Sequence, residues 1–187
     1  MVNSYRFTIV PCVCLVLFIH GCASRPDEQI QLAEDAMNQA LQQHAEQYAP
    51  TEWRSAKEVW DQAQAQLAQE QFASAATSFV TAKARMLKAA EVAKAERESM
   101  QKQVTDLREI IDTNYADLKA GATPARLAGG ARKEYETALA DIDKRIALVT
   151  SQLDQGDYIA AKKNAQGALQ AIDYISKRLQ IAGRTPR

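Results

Sequence analysis

The sequence predicts an all-α protein: an elongated antiparallel bundle of about five helices that follows an N-terminal signal segment. Three observations support this fold class. Alanine is the most frequent residue of the chain, and glutamine, lysine and glutamate are abundant; all four favour helices. The seven glycines and five prolines fall mostly where helices would begin or end. Apolar residues recur at steps of three and four along most of the chain, which is the spacing of one helix face.

The N-terminus has the form of a secretory signal peptide. The stretch from Phe7 to Ile19 carries no charge, and its roughly thirteen residues are too few to span a bilayer comfortably. The next residues, Ile19-His20-Gly21-Cys22, resemble the lipobox of bacterial lipoproteins. In that motif an aliphatic residue, a small residue and Gly or Ala precede an invariant cysteine. His20 departs from the motif, which usually has Ser, Ala or Thr at this position.

The lipobox implies that the chain is exported, cleaved before Cys22 and held to a membrane by diacylglycerol and an N-acyl chain on that cysteine. Several acyl chains, at about 0.8 kcal/mol per buried methylene, anchor a protein essentially permanently. Ordinary signal cleavage after Ala23 and an uncleaved membrane anchor are the alternatives. Ala23 stands where Asp would signal retention in the inner membrane. In a two-membrane bacterium this favours the outer membrane, with the protein facing the periplasm.

Cysteine usage and charge limit the chemistry of the mature chain. Cleavage would remove Cys12 and Cys14, and acylation would consume Cys22, so we expect no disulfide. The full chain has 23 basic and 23 acidic residues, and the signal peptide contains only Arg6 of these. Because no block of one sign stands out, nucleic acid is not a predicted partner.

Five helices follow from the apolar seams and the breaks between them. Their predicted ranges are about 27–48, 53–67, 72–119, 131–154 and 158–182. No breaker interrupts the third, so we predict one shared helix of about 70 Å. Thr123-Pro124 offers an earlier start for the fourth helix, which Gly129-Gly130 weakens.

Arg97 interrupts the apolar seam of the third helix and is a predicted junction between two packing regions. The predicted organisation is therefore a signal peptide, a lipidated tether, two three-helix lobes that share the long helix, and a flexible tail. The corresponding ranges are 1–21, 22–26, 27–97, 98–183 and 184–187.

The hairpins that join the second helix to the third and the fourth to the fifth are copies of one another. Four residues recur 86 positions later: Leu67, Phe72, Ala75 and Ala82 correspond to Leu153, Tyr158, Ala161 and Ala168. Small seam residues allow close helix contact, while the aromatic and leucine close the hairpin end. Duplication of this kind is typical of stacked helical scaffolds rather than of reaction centres.

Residues 30–95 resemble the alanine-rich helical lipoproteins grouped as domain of unknown function 4398. The shared features are the alanine-rich first helix, Tyr48-Ala49-Pro50-Thr51-Glu52, and the helix that opens with Phe72-x-x-Ala75. Residues 142–182 repeat the hairpin part. The resemblance implies an envelope protein of unassigned role. Some members carry an OmpA-like peptidoglycan-binding domain after this region; we identify none here, so peptidoglycan contact is left without support.

A second resemblance is to tetratricopeptide repeats. It rests on Gly156-Asp157-Tyr158-x-x-Ala161 and on the Phe72 to Ala82 spacing, which are similar to the second helix of that repeat. The first-helix signature and the closing proline are missing. We interpret this likeness as convergent hairpin packing.

The candidate site residues, apart from Cys22, have plainer explanations as well. Trp53 and Trp60 lie seven residues apart on one seam, and with Tyr135 they are candidates for contact with an apolar or glycan ligand between the lobes. Filling of the core is the favoured explanation. His44 is the one histidine after the signal peptide, so neither a histidine metal site nor a nucleophile with a histidine base is predicted. We expect a structural role for it on the first-helix seam.

Two further patterns also have plain explanations. Gly129-Gly130 is interpreted as a hinge, since it has no phosphate-binding context. The basic C-terminal residues favour solubility over contact with anionic lipid or sugar phosphate. The predicted function is a membrane-anchored, non-enzymatic helical scaffold or adaptor in envelope assembly or integrity. It would use no metal or other cofactor and would bind a protein partner; the alternative is the ligand-binding module.

Overall fold

The computed structural model describes residues 24–121 and 129–183. This part of the chain is all-α and contains no strand, as the sequence predicts. It forms six helices rather than five: α1 Asp27–Gln42, α2 Ala45–Tyr48, α3 Pro50–Ala68, α4 Phe72–Gly121, α5 Gly129–Gln155 and α6 Tyr158–Gly183. The predicted start at Thr123-Pro124 lies outside the described residues.

The prediction of one helix over 27–48 is wrong. α1 ends at Gln42, and His44 adopts the left-handed conformation with φ of 56°. Its N–H donates to the carbonyl of Leu41 at 2.9 Å, and the chain then restarts as α2. Histidine is among the residues that tolerate this conformation better than most, so the sequence carries no strong breaker here. The break brings Ala45 and Tyr48 into the core, and tertiary packing therefore overrides helix propensity.

The expectation that His44 lies on the first-helix seam is also wrong, since its side chain is exposed. The change of direction at this residue turns it away from the core.

α4 is continuous over 50 residues, about 75 Å at 1.5 Å per residue, which confirms the long shared helix. Its first half packs against α1 and α3, and its second half packs mainly against α6. Ile30 and Ala33 share a core cluster with Phe79, whereas Tyr48 shares the next cluster with Ala93. α1 therefore runs parallel to α4 and begins near the N-terminal end of that helix.

Alanine governs how closely the helices pack. On the first half of α4, Ala75, Ala82 and Ala93 are fully buried, and α6 buries Ala161, Ala165 and Ala168 in the same way. In the N-terminal half α4 contacts both α1 and α3; in the C-terminal half α6 contacts both α4 and α5. The alanine-rich helix is thus the common packing partner in each half, because small side chains let two backbones approach it closely.

The α3–α4 turn closes with a Schellman motif. Glu70 is left-handed with φ of 59°, and the N–H of Gln71 donates to the carbonyl of Gln66 at 2.9 Å. The side chain of Gln66 also bridges the hairpin, since its Oε1 accepts a 2.7 Å hydrogen bond from Ser78 Oγ.

The α5–α6 turn repeats these bonds 86 residues later. Gly156 is left-handed with φ of 73°, and Asp157 N–H donates to the carbonyl of Gln152 at 2.9 Å. Gln152 Oε1 accepts a 2.9 Å bond from Asn164 Nδ2. The duplication thus extends to equivalent polar atoms, and the Gln66 and Gln152 contacts are a feature that apolar periodicity alone does not reveal.

The two turns generate an opposed pair of stability predictions. Glu70→Gly relieves a left-handed non-glycine residue and should stabilise the protein by about 0.5–1 kcal/mol. Gly156→Ala imposes that strain and should destabilise it by about 1 kcal/mol or more. An alanine Cβ at Gly156 would lie 3.5 Å from an Arg97 nitrogen, which is ordinary contact, so the cost is mainly in the backbone. Denaturant unfolding measures both changes, and shifts of the same sign would contradict the assignment.

The duplicated alanine seams give a second pair of stability predictions. Ala75→Leu and Ala161→Leu each force a bulky group into a fully buried helix contact, which should cost about 1–3 kcal/mol. Ala84→Leu, on the exposed face of α4, is the matched control and should leave the melting temperature nearly unchanged. If all three variants melt like wild type, the alanine contacts are looser than described.

Candidate functional site

The predicted lipidation site, Cys22, lies outside the described residues. The described residues begin at Ser24. Ser24 and Arg25 are exposed, and Pro26 is buried against the bundle. α1 starts at Asp27, so at most about 18 Å of extended chain separates Cys22 from the first helix, at up to 3.6 Å per residue.

The two tryptophans of α3 are half-buried and pack into the N-terminal core. Trp53 contacts the cluster that contains Ala56 and Met86. Trp60 meets Phe79 edge to face, with ring centroids 5.3 Å apart and planes at 75°. Both rings occupy space beside fully buried alanines.

Tyr135 belongs to the other half of the molecule. It is 4% exposed on α5 and lies in the same core cluster as Tyr115, and burial raises the pKa of its phenol. Phe79, which Trp60 contacts, is about 54 Å from Tyr115 along α4 at 1.5 Å per residue. The structure therefore does not bring Trp53, Trp60 and Tyr135 together, and these rings do not line one cavity.

Arg97 of α4 lies where the N-terminal core clusters give way to the C-terminal one. Its guanidinium carbon is 5.8 Å from the ring centroid of Tyr48 in α2 and 5.9 Å from that of Tyr158 in α6. The hydroxyl of Tyr48 donates to the carbonyl of Gly156 at 3.4 Å. We call these four residues the Arg97 junction; it joins α2, α4 and the α5–α6 turn through cation–π contacts.

The charge of Arg97 is balanced poorly within the described part of the chain. It makes no hydrogen bond or ion pair there, and its Nε is buried without a partner. Two other arginines are half-buried, and both have carboxylate partners: Arg108 bonds Asp112 at 3.0 Å and Arg145 bonds Asp141 at 2.7 Å. Buried donors normally have acceptors, so this exception marks the junction as the candidate site.

Two grooves flank the junction. One is about 160 Å³ and is lined by Gln43, Lys94, Arg97, Glu98, Gln101 and Tyr158. The other is about 560 Å³ and runs between α2 and the start of α6, with His44, Gln47, Asp157 and Lys163 among its lining residues. A third groove of about 450 Å³ lies between α5 and α6 near Tyr174 and is mainly apolar.

The sequence indicates Arg97, because it is a charged residue at an apolar seam position. It does not indicate that Tyr48 and Tyr158 contact this residue, although Tyr158 is recognisable as the aromatic of the second hairpin. Gln43 carries no signal, because the sequence does not predict the break in the first helix.

Within 24–121 and 129–183 there is no group of three His, Cys, Asp or Glu side chains suited to hold a metal ion. In the same residues, none of the helices combines the length and apolar character needed to cross a bilayer.

Comparison with known proteins gives no match: no family model fits the chain, and no curated protein or solved structure is similar to it. The resemblances drawn from the sequence therefore stay predictions.

The junction generates a prediction about Tyr48. Tyr48→Phe keeps the ring beside Arg97 and loses only a long hydrogen bond, so it should cost less than about 1 kcal/mol. Tyr48→Ala removes a ring that is only 7% exposed and should cost about 3 kcal/mol or more. Both are measured by denaturant unfolding. Equal losses would show that the hydroxyl, rather than the ring, holds the junction.

Proposed function

We propose that this protein is a lipid-anchored, non-enzymatic helical scaffold or adaptor that faces the periplasm from the outer membrane. Its role would be in assembly or integrity of the cell envelope, through binding of a protein partner. The single observation that carries the proposal is the lipobox-like Gly21-Cys22 in the sequence, with Cys22 only five residues before the start of α1.

The position of the anchor on the rod supports this function. α1 begins beside the N-terminal end of α4, because Ile30 and Ala33 pack with Phe79. A lipid on Cys22 would hold that end at the membrane. The far end of α4 lies about 75 Å away, so the C-terminal half could reach well into the periplasm.

The described core also suits a scaffold. It buries no whole polar or charged residue, and eight oppositely charged pairs three or four residues apart lie along the helices of the described residues. Exposed pairs of this kind contribute at most about 1 kcal/mol each, and often less. The apolar seams therefore provide most of the stability of the fold. The polar outer faces and the Arg97 junction are available to bind a partner.

A ligand-binding module is the second candidate. The observation that favours it is the groove of about 560 Å³ beside the Arg97 junction, which is within the usual range of small-molecule sites. Gln47, Asp157 and Lys163 would offer hydrogen-bonding groups to a glycan. Neither tryptophan contributes to this groove, so the ligand would not stack on the rings first suggested by the sequence.

Metabolic labelling with a fatty-acid probe tests the anchor. Wild type should be labelled and Cys22→Ser should not, because the thiol is the acylated group. Equal labelling of the two would rule out lipidation at this position. Recovery of an unlabelled soluble form that begins after Ala23 would support ordinary secretion instead.

Cross-linking in intact cells, followed by mass spectrometry, tests the adaptor role with a matched pair. Cross-linking of the wild-type protein should reproducibly recover one envelope protein. Ala23→Asp keeps the lipid but carries the inner-membrane signal, so it should lose an outer-membrane partner while folding normally. Failure of wild type to recover any partner would contradict the adaptor role.

A further inference from the structure

The unpaired Arg97 is adjacent to a cavity of suitable chemistry. Arg97 is half-buried and lines the 160 Å³ groove together with Gln43, Gln101 and Tyr158. A guanidinium has five N–H donors, and no acceptor among the described residues meets those of Arg97. The two side-chain amides in the groove can each donate a further hydrogen bond. These features favour an anionic oxygen ligand.

The charges that line this groove indicate the valence of that ligand. Lys94 Nζ lies 4.0 Å from Glu98 Oε1, so these two charges largely offset one another. Arg97 remains as a single uncompensated positive charge. A carboxylate would balance it, whereas a phosphate dianion would exceed it and would lie near the Glu98 carboxylate.

The size of the groove indicates what carries the carboxylate. At about 160 Å³ it is smaller than the roughly 300–1,000 Å³ of sites that enclose whole small molecules. It has room for one functional group. A group of this size is presented naturally by an acidic side chain on the surface of another protein.

We propose that the Arg97 groove receives an Asp or Glu side chain of a protein partner. A bidentate carboxylate on Arg97 would supply the acceptor that the guanidinium lacks, with Gln43 and Gln101 as flanking donors. Because the groove is formed by the end of α1, the middle of α4 and the start of α6, such a partner would contact both halves of the molecule. This inference rests on the proposed adaptor function, whose partner it describes.

The test uses the purified full-length protein in nonionic detergent and measures its melting temperature. The probes are sodium acetate, the blocked peptide Ala-Glu-Ala and, for comparison, sodium phosphate; sodium chloride at equal ionic strength and the blocked peptide Ala-Gln-Ala are the controls. Binding to the folded state should raise the melting temperature saturably by about 2–4 °C with the two carboxylate probes only. Matched ionic strength separates binding from general screening.

Two variants assign the effect to Arg97. Arg97→Met keeps an unbranched apolar stem but removes the guanidinium, and it should abolish the carboxylate-dependent shift. Arg97→Lys retains the charge without the planar fork and should weaken it several-fold, which gives a second measurement if the methionine variant folds poorly. Arg85→Met is the matched control on the same helix; Arg85 already bonds Ser55, and its loss should leave the shift intact.

Three outcomes would overturn the inference: no shift with either carboxylate probe, an equal shift in Arg97→Met, or a shift with inorganic phosphate alone. The last would indicate a phosphate-bearing ligand instead. Failure here is distinguishable from failure of the adaptor role. If Arg97→Met still recovers the wild-type partner on cross-linking, the adaptor role stands and the groove is not its binding site.

Discussion

Close packing on alanine is the constraint on which the structure depends. An alanine-rich face lets α4 in the N-terminal half, and α6 in the C-terminal half, contact two neighbouring helices each. Where helices pack this closely, a larger side chain fits only if the facing helix presents small residues. Phe79 and Met86 lie among buried alanines in this way. The turns follow the same requirement, because each tight hairpin needs a left-handed residue to bring its second helix directly against the first.

The Arg97 junction shows how the two halves are joined along one helix. A seam of this kind would ordinarily continue with apolar residues, and an arginine within it lowers stability unless its charge is balanced. Tyr48 and Tyr158 provide part of that balance through their ring faces. They come from opposite halves of the chain, so the contact that accommodates the charge also connects α2 to α6. The position equivalent to Gly156 in the first hairpin is Glu70, which is exposed, and the described residues form no arginine–tyrosine contact beside it.

The geometry relates the proposed anchor to the proposed recognition surface. The anchor would hold the end of the rod where α1 and the α3–α4 turn lie, and Arg97 is about 37 Å farther along α4 from Phe72 at 1.5 Å per residue. A partner at the junction would thus be engaged away from the bilayer surface. This arrangement fits an adaptor that spans part of the periplasm, and it needs no reactive group.

The sequence by itself determined the helical class, the continuity of α4 and the duplicated hairpins, because these depend on local propensity, breakers and seam periodicity. It also identified Arg97 as an anomaly. Only the tertiary structure decided the break at His44, since no strong breaker stands there and burial of Ala45 and Tyr48 outweighs the loss of helical bonds. It likewise decided that Tyr135 lies far from Trp53 and Trp60, and that two tyrosines enclose Arg97. Such contacts join residues that are distant in the chain. Sequence periodicity cannot predict them, because it indicates which face of its helix a residue occupies but not which residues of another helix lie opposite.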